Sequence, residues 1–178
     1  VQAGTVGIKA SENVQIFEEN TNSDAIKTVG VFVNETVDNL VAIANEVNLD
    51  AVQLHGDEDE AFIQAFKEKT DVEVWKAVQI CSATDAEAWI DSSADMLLFD
   101  AYHKDERGGT GEVFDWSCLD EFERPFMLAG GIDSTNVAHA IRTVRPYGID
   151  ISSGIETDGV KDDEKIKAFT NIVKTIAH

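Results

Sequence analysis

The sequence predicts an α/β fold around a parallel sheet, of the (β/α)8 TIM-barrel type but abbreviated or incomplete, and three observations predict it. Short β-branched runs alternate with amphipathic segments along the chain. The runs are largely apolar, without the strict alternation of a half-exposed strand, which marks strands buried on both faces. Polar or glycine-bearing residues follow nearly every run: Asn34, His55-Gly56, Asp100, Gly130-Gly131 and Ser152-Ser153-Gly154. In a closed barrel such strand ends meet around one mouth, whereas in an open doubly wound sheet they line a ridge with one crevice. Periodicity alone does not choose between the two.

Six strands are clear: 29–33 (VGVFV), 51–54 (AVQL), 74–79 (VWKAVQ), 96–99 (MLLF), 126–129 (FMLA) and 149–151 (IDI). Helical patterns lie between them near 36–47, 58–69, 85–90, 117–122 and 136–144, and a last one covers 162–176. Each crossover helix returns the chain so that the next strand runs in the same direction, which is why the sheet is expected to be parallel. Before Val29 the pattern thins to a short strand at 5–10 and a helix at 12–20, for about six to seven parallel strands in all. A closed eightfold barrel usually needs at least about 200 residues, and this chain has 178. One domain spanning 1–178 is expected, because a chain of this length holds one good core and not two.

Charge narrows the functions. With 14 Lys+Arg against 34 Asp+Glu the net charge is −20, spread along the chain. Nucleic acid is excluded as a partner, since its phosphates need a basic face. No apolar run approaches the roughly 20 residues that span a bilayer, so no membrane association and a cytoplasmic location are expected. A surface this acidic suits a high-salt medium, where screening removes self-repulsion. It also repels anions, so any phosphate site must rest on backbone N–H groups and helix N-termini. Cys81 and Cys118 form no CxxC pair and have no His at ligand spacing, so neither a disulfide framework nor a metal site is suggested.

The residues that carry chemistry sit after the strands. Leu128-Ala129-Gly130-Gly131 ends one strand with two residues lacking Cβ, followed by Asp133-Ser134 as a helix cap. Ile151-Ser152-Ser153-Gly154 repeats the device after the next strand, and barrel enzymes commonly bind phosphate on those last two loops. Asp100 closes the strand MLLF at the mouth, where a carboxyl group suits a general acid. The loop after it contains Gly108-Gly109-Thr110-Gly111, without the Lys-Ser/Thr of a P-loop, and reads as a mobile lid. Gln53 and His55 stand two residues apart and so on one face of a strand. Asp150, an acid within an apolar run, is expected to point inward and to be hydrogen-bonded.

Together these motifs resemble the phosphoribosylanthranilate isomerase family, barrel enzymes of tryptophan biosynthesis. The matching runs are VGVFVN (29–34), VQLHG (52–56), LFDA (98–101), GGTGEVFDW (108–116), LAGGI (128–132), Asn136-Val137, RPYGIDISSGIE (145–156) and GVKD (159–162), in order from about Lys27 onward. The resemblance implies a cofactor-free Amadori rearrangement of N-(5-phosphoribosyl)anthranilate, a small phosphorylated substrate. It assigns the general acid to Asp100, the phosphate to Gly130, Gly131, Ser152, Ser153 and Gly154, and the sugar and anthranilate to Gln53, His55 and Asp150. It departs at the start of the chain. Family members open with a Lys-Ile/Val-Cys-Gly strand whose Cys is the base; the best local match is Thr5-Val6-Gly7-Ile8-Lys9, with Val6 at the Cys position. The family's second βα unit, with its Ser-x-Arg-Tyr segment, is not found, and Asp24-Ala25-Ile26 runs straight into VGVFVN. The alternative is therefore a non-catalytic phosphosugar-binding barrel, or a fragment lacking the base. An incomplete barrel would expose strand edges at 5–10 and 29–33 and favour self-association.

Overall fold

The computed structural model describes residues 2–3, 14–18, 26–100 and 116–176. Its main sheet is built from β1 (Gln2–Ala3), β2 (Val14–Glu18), β3 (Ile26–Phe32), β4 (Ala51–Leu54), β5 (Glu73–Gln79), β6 (Met96–Asp100), β7 (Phe126–Ala129) and β8 (Gly148–Ile149). The spatial order is β1-β8-β7-β6-β5-β4-β3-β2. Every pairing is parallel except that of β2 with β3. The helices α1 (Val37–Glu46), α2 (Glu60–Lys67), α3 (Ala83–Glu87), α4 (Val137–Val144) and α5 (Asp163–Ile176) complete the βα repeats. A small antiparallel hairpin, β9 (Glu156–Thr157) and β10 (Val160–Lys161), precedes α5.

Local chemistry sets the helix starts. Thr36 Oγ1 accepts from the Asn39 amide and Asp59 from the Phe62 amide, each satisfying an otherwise orphaned donor of a first turn. Ser82 and Asp85 form a capping box at α3. Strand alternation then sorts side chains onto two faces. Val52, Leu54, Leu97, Phe99, Phe126, Leu128 and Ile149 face the helices in the larger core. Val29, Ala51, Trp75, Leu98, Met127 and Ala129 meet on the inner face of the curved sheet. Phe99, Phe122 and Phe126 pack edge-to-face or tilted, with centroids 5.0–5.8 Å apart. Full burial of a residue such as Leu97 or Phe99 stabilises the fold by about 1.5–3 kcal/mol.

Four expectations need correction. Within the predicted helix 12–20, the described segment Val14–Glu18 is a strand, antiparallel to β3 in the register Val14↔Gly30 to Glu18↔Ile26. The β-branched Val14 and Ile16 stand at period two, and sheet pairing won over a weak helical pattern. Consequently β3 is not an edge: β2 covers one side and β4 the other, and the ends of the sheet are β1 and β2. The segment 117–122 holds a single 3-10 turn, Trp116–Leu119. The last barrel strand is Gly148–Ile149, so Asp150 follows the strand instead of lying in it. The predicted strand 5–10 and the Gly108–Gly111 lid lie outside the described residues.

Candidate active site

Parallel strands put all their C-terminal ends on one side, and the predicted site residues gather there. Gln53 belongs to the inner-facing set with Ala51 and is 0% exposed. Neither its amide nitrogen nor its oxygen has a hydrogen-bond partner among the described residues. Leaving such a group unmade typically costs about 1–3 kcal/mol, so it marks a place where a polar partner fits. Asp100 ends β6 with the inner parity of Leu98 and is half-buried, its main-chain oxygen accepting from the Ile80 amide at 3.1 Å. His55 stands just beyond β4 at the rim. Its pKa is lowered, first by desolvation and also by the Lys76 charge, against the opposing pull of the Asp100 and Glu58 carboxylates.

Beside His55 the fold contains a buried ion pair. Lys76 Nζ lies 3.0 Å from Glu58 Oε2, with side chains 3% and 2% exposed. The ammonium also donates to the Gly56 carbonyl at 2.7 Å and sits 5.7 Å over the Trp89 ring. Glu58 in turn accepts from the Asn34 amide at 2.7 Å and the Gly56 amide at 2.9 Å. Burial pushes the Glu58 pKa up, but the Asn34 amide, Lys76 and the residue's own amide outweigh it and the net shift is downward. The pair thus ties the loops after β3 and β4 to β5. Lysine inside the apolar run VWKAVQ was the available signal for it, since a buried cation demands a partner.

The two glycine loops meet. A Cβ placed on Gly154 would lie 2.2 Å from the Ile132 oxygen and 3.1 Å from Asp133 Cα, so only glycine allows this approach. Gly131 adopts φ +60 and has open space where a side chain would be. Asn136 fixes its turn, donating from Nδ2 to the Gly131 carbonyl at 2.8 Å and accepting the Asp133 amide at 2.9 Å. Among the described residues the amides of Gly131, Ser153 and Gly154 form no backbone hydrogen bond outside regular structure. Ser152 and Ser153 are exposed and Gly154 and Asp150 half-buried. Asp150, one residue beyond β8, bonds through its amide to the Leu128 carbonyl at 2.8 Å. Strand parity continued from Gly148 gives it the inner side.

One cation near these loops escaped the sequence reasoning. Lys161 Nζ donates to the Ser152 carbonyl at 2.9 Å and to Ser152 Oγ at 3.1 Å, and pairs with Glu156 at 2.8 Å. The Asp158-Gly159 dipeptide, a hairpin-turn signal, could have shown that the chain doubles back and returns Lys161 to Glu156. Among the described residues no group of three or more His, Cys, Asp or Glu could hold a metal, and no helix is long and apolar enough to cross a membrane.

Residues 2–172 match the family model for N-(5'-phosphoribosyl)anthranilate (PRA) isomerase. The N-(5'-phosphoribosyl)anthranilate isomerase of Endomicrobium trichonymphae is 44% identical over 153 residues, covering 86% of this chain and 75% of that protein. The one of Thermoanaerobacter sp. (strain X514) is 48% identical over 153 residues, covering 85% and 74%. The crystal structure of phosphoribosyl anthranilate isomerase from Thermotoga maritima superposes with a TM-score of 0.71 at 38% identity, over 83% of this chain and 72% of that one. Such structures are TIM-barrel type, and the parallel arc described here is a large part of that barrel. The chain belongs to the N-(5'-phosphoribosyl)anthranilate isomerase family of isomerases.

Proposed function

We propose that this chain binds N-(5-phosphoribosyl)anthranilate and takes part in its Amadori rearrangement to 1-(2-carboxyphenylamino)-1-deoxyribulose 5-phosphate, in tryptophan biosynthesis. The observation that carries the reading is the contact of the Gly154 loop with Ile132 and Asp133, which sets two turns with available amides side by side. Such a pair of turns suits a phosphate, held by N–H groups where the surrounding surface is acidic. A related isomerase with a TM-score of 0.68 and 35% identity was crystallised with reduced 1-(o-carboxyphenylamino)-1-deoxyribulose 5-phosphate, which supports a phosphorylated small molecule here.

The chemistry needs an acid and a base. Asp100 donates a proton to the ribose ring oxygen as the nitrogen lone pair opens the ring to an iminium ion, a base removes the C2 proton to give an enolamine, and protonation at C1 with loss of the enol hydroxyl proton completes the ketone. His55, whose lowered pKa keeps its imidazole neutral near pH 7, brings one hydrogen-bond donor and one acceptor to the same mouth. Gln53, buried with both amide atoms unpartnered among the described residues, offers a donor and an acceptor to the sugar or ring carboxylate. Asp150 lines the same mouth. The reaction needs no cofactor, and a phosphorylated metabolite stays in the compartment that makes it, which fits work in the cytoplasm.

Val6 favours a second reading. Valine cannot take the C2 proton, so the chain could hold the phosphosugar without turning it over. Complementation in a cell lacking the isomerase separates the two. Growth restored by the chain supports the enzyme, growth restored only by Val6→Cys supports binding without catalysis, and failure of both with folded protein rejects the isomerase reading. We also treat 1–178 as one domain, and propose that the sheet ends β1 and β2 pair with a second copy.

A further inference from the structure

We infer that Lys161 is a positioning residue for the phosphate loop, aiming Ser152 and the Ser153 amide at the anion without itself touching the reacting atoms. The inference rests on the phosphate-site reading above and names a residue of that site.

The hairpin explains how the lysine gets there. Asp158 and Gly159 both have positive φ, 53 and 78, as a two-residue turn between antiparallel strands requires. The turn reverses the chain so that Lys161 pairs with Glu156 in register. From β10 its ammonium reaches back nine residues to Ser152, with Lys161 and Glu156 side chains 34% and 26% exposed. Lys165 donates to the Glu156 carbonyl from α5, so two lysines bracket the start of the hairpin in a chain of net charge −20.

Two consequences follow for Ser152. An ammonium can only donate, so Ser152 Oγ is the acceptor in its bond to Lys161 and its own hydroxyl hydrogen is directed elsewhere. In a trans peptide the C=O of one residue and the N–H of the next point in opposite directions. Holding the Ser152 carbonyl therefore turns the Ser153 N–H away from the lysine, on the side where no described group accepts it. Glu156 sets the charge balance. With Lys161 present its carboxylate is paired; without it, a free negative charge stands beside the loop that must receive a phosphate.

The test uses the intact chain with Lys161→Met, Lys161→Arg and Lys161→Met/Glu156→Gln, reading kcat, KM and competitive inhibition by inorganic phosphate, with Tm alongside. Lys161→Met is expected to raise KM and the phosphate inhibition constant together by about tenfold while kcat stays within about twofold. Lys161→Arg should recover most of the loss, and Glu156→Gln should recover part by removing the stranded carboxylate. Unchanged phosphate inhibition in folded Lys161→Met, or a fall in kcat with KM intact, overturns the inference. If Lys161→Met does not fold, Lys161→Arg carries the test: phosphate inhibition weakened in it by as much as tenfold overturns the inference, and near-normal inhibition supports it. Wild-type protein that phosphate does not inhibit defeats the underlying site reading instead, and that result is visible before any variant is made.

Discussion

Gly154 stands so close to Ile132 that a Cβ on it would lie 2.2 Å from the Ile132 carbonyl oxygen. The oxygen is backbone and cannot swing aside, so the loops after β7 and β8 stay in register only while residue 154 lacks a side chain. Gly154→Ala should therefore separate the two turns, lowering stability by about 1–3 kcal/mol and raising KM by at least about tenfold. Urea denaturation and steady-state kinetics check this, and an unaltered KM in a folded variant would show that the contact does not shape the site.

The Lys76–Glu58 pair gives a sharper stability forecast. Removing one member, as in Lys76→Met, leaves a buried carboxylate unpaired and should cost about 3–5 kcal/mol. Lys76→Met/Glu58→Gln should recover part of that loss, since the stranded charge is gone. Denaturant midpoints of the single and double variants measure the difference.

The pH response has a defined sign. The folded-state pKa of His55 is lowered from 6.5, with desolvation the largest cause, so the unfolded chain binds the proton more readily. Its stabilising contribution is full above pH 6.5 and is lost as pH falls through the lowered folded value. Glu58 follows the same rule from 4.5 downward, where its amide bonds and Lys76 overcome desolvation. The midpoint in urea should decline from neutral toward pH 5, and His55→Gln should flatten the upper part of that decline. A His55→Gln profile parallel to wild type would remove His55 as the cause.

A net charge of −20 predicts salt dependence. Adding KCl from near zero to about 1 M, which shortens the screening length to about 3 Å, should raise Tm. Equal stability without added salt would refute the salt-adapted surface.

Legibility in the sequence followed the strength of local signals. Strands such as AVQL and FMLA are plain in the sequence as short runs between turn residues, and every residue of them is buried. The glycine loops were visible because Gly130-Gly131 and Gly154 sit immediately past strands. Val14–Glu18 is a strand where a helix is expected because five residues with mixed polarity fit either period, and only pairing with β3 decides. The strand expected over 149–151 ends earlier because Ile151 repeats the apolar character of Ile149 after the ladder has stopped. Lys161 was missed because its role depends on a hairpin that brings residues nine apart together, a distance that a scan for neighbouring motifs does not cover.

The central claim is that Asp100 acts as the acid at a mouth whose far side grips a phosphate. It is tested most directly by steady-state turnover of N-(5-phosphoribosyl)anthranilate by the intact chain and by Asp100→Asn, followed through the absorbance of the aminobenzoate ring. The account predicts that Asp100→Asn lowers kcat by about 10²–10⁴ while KM stays within about threefold. Equal turnover by both proteins would contradict it.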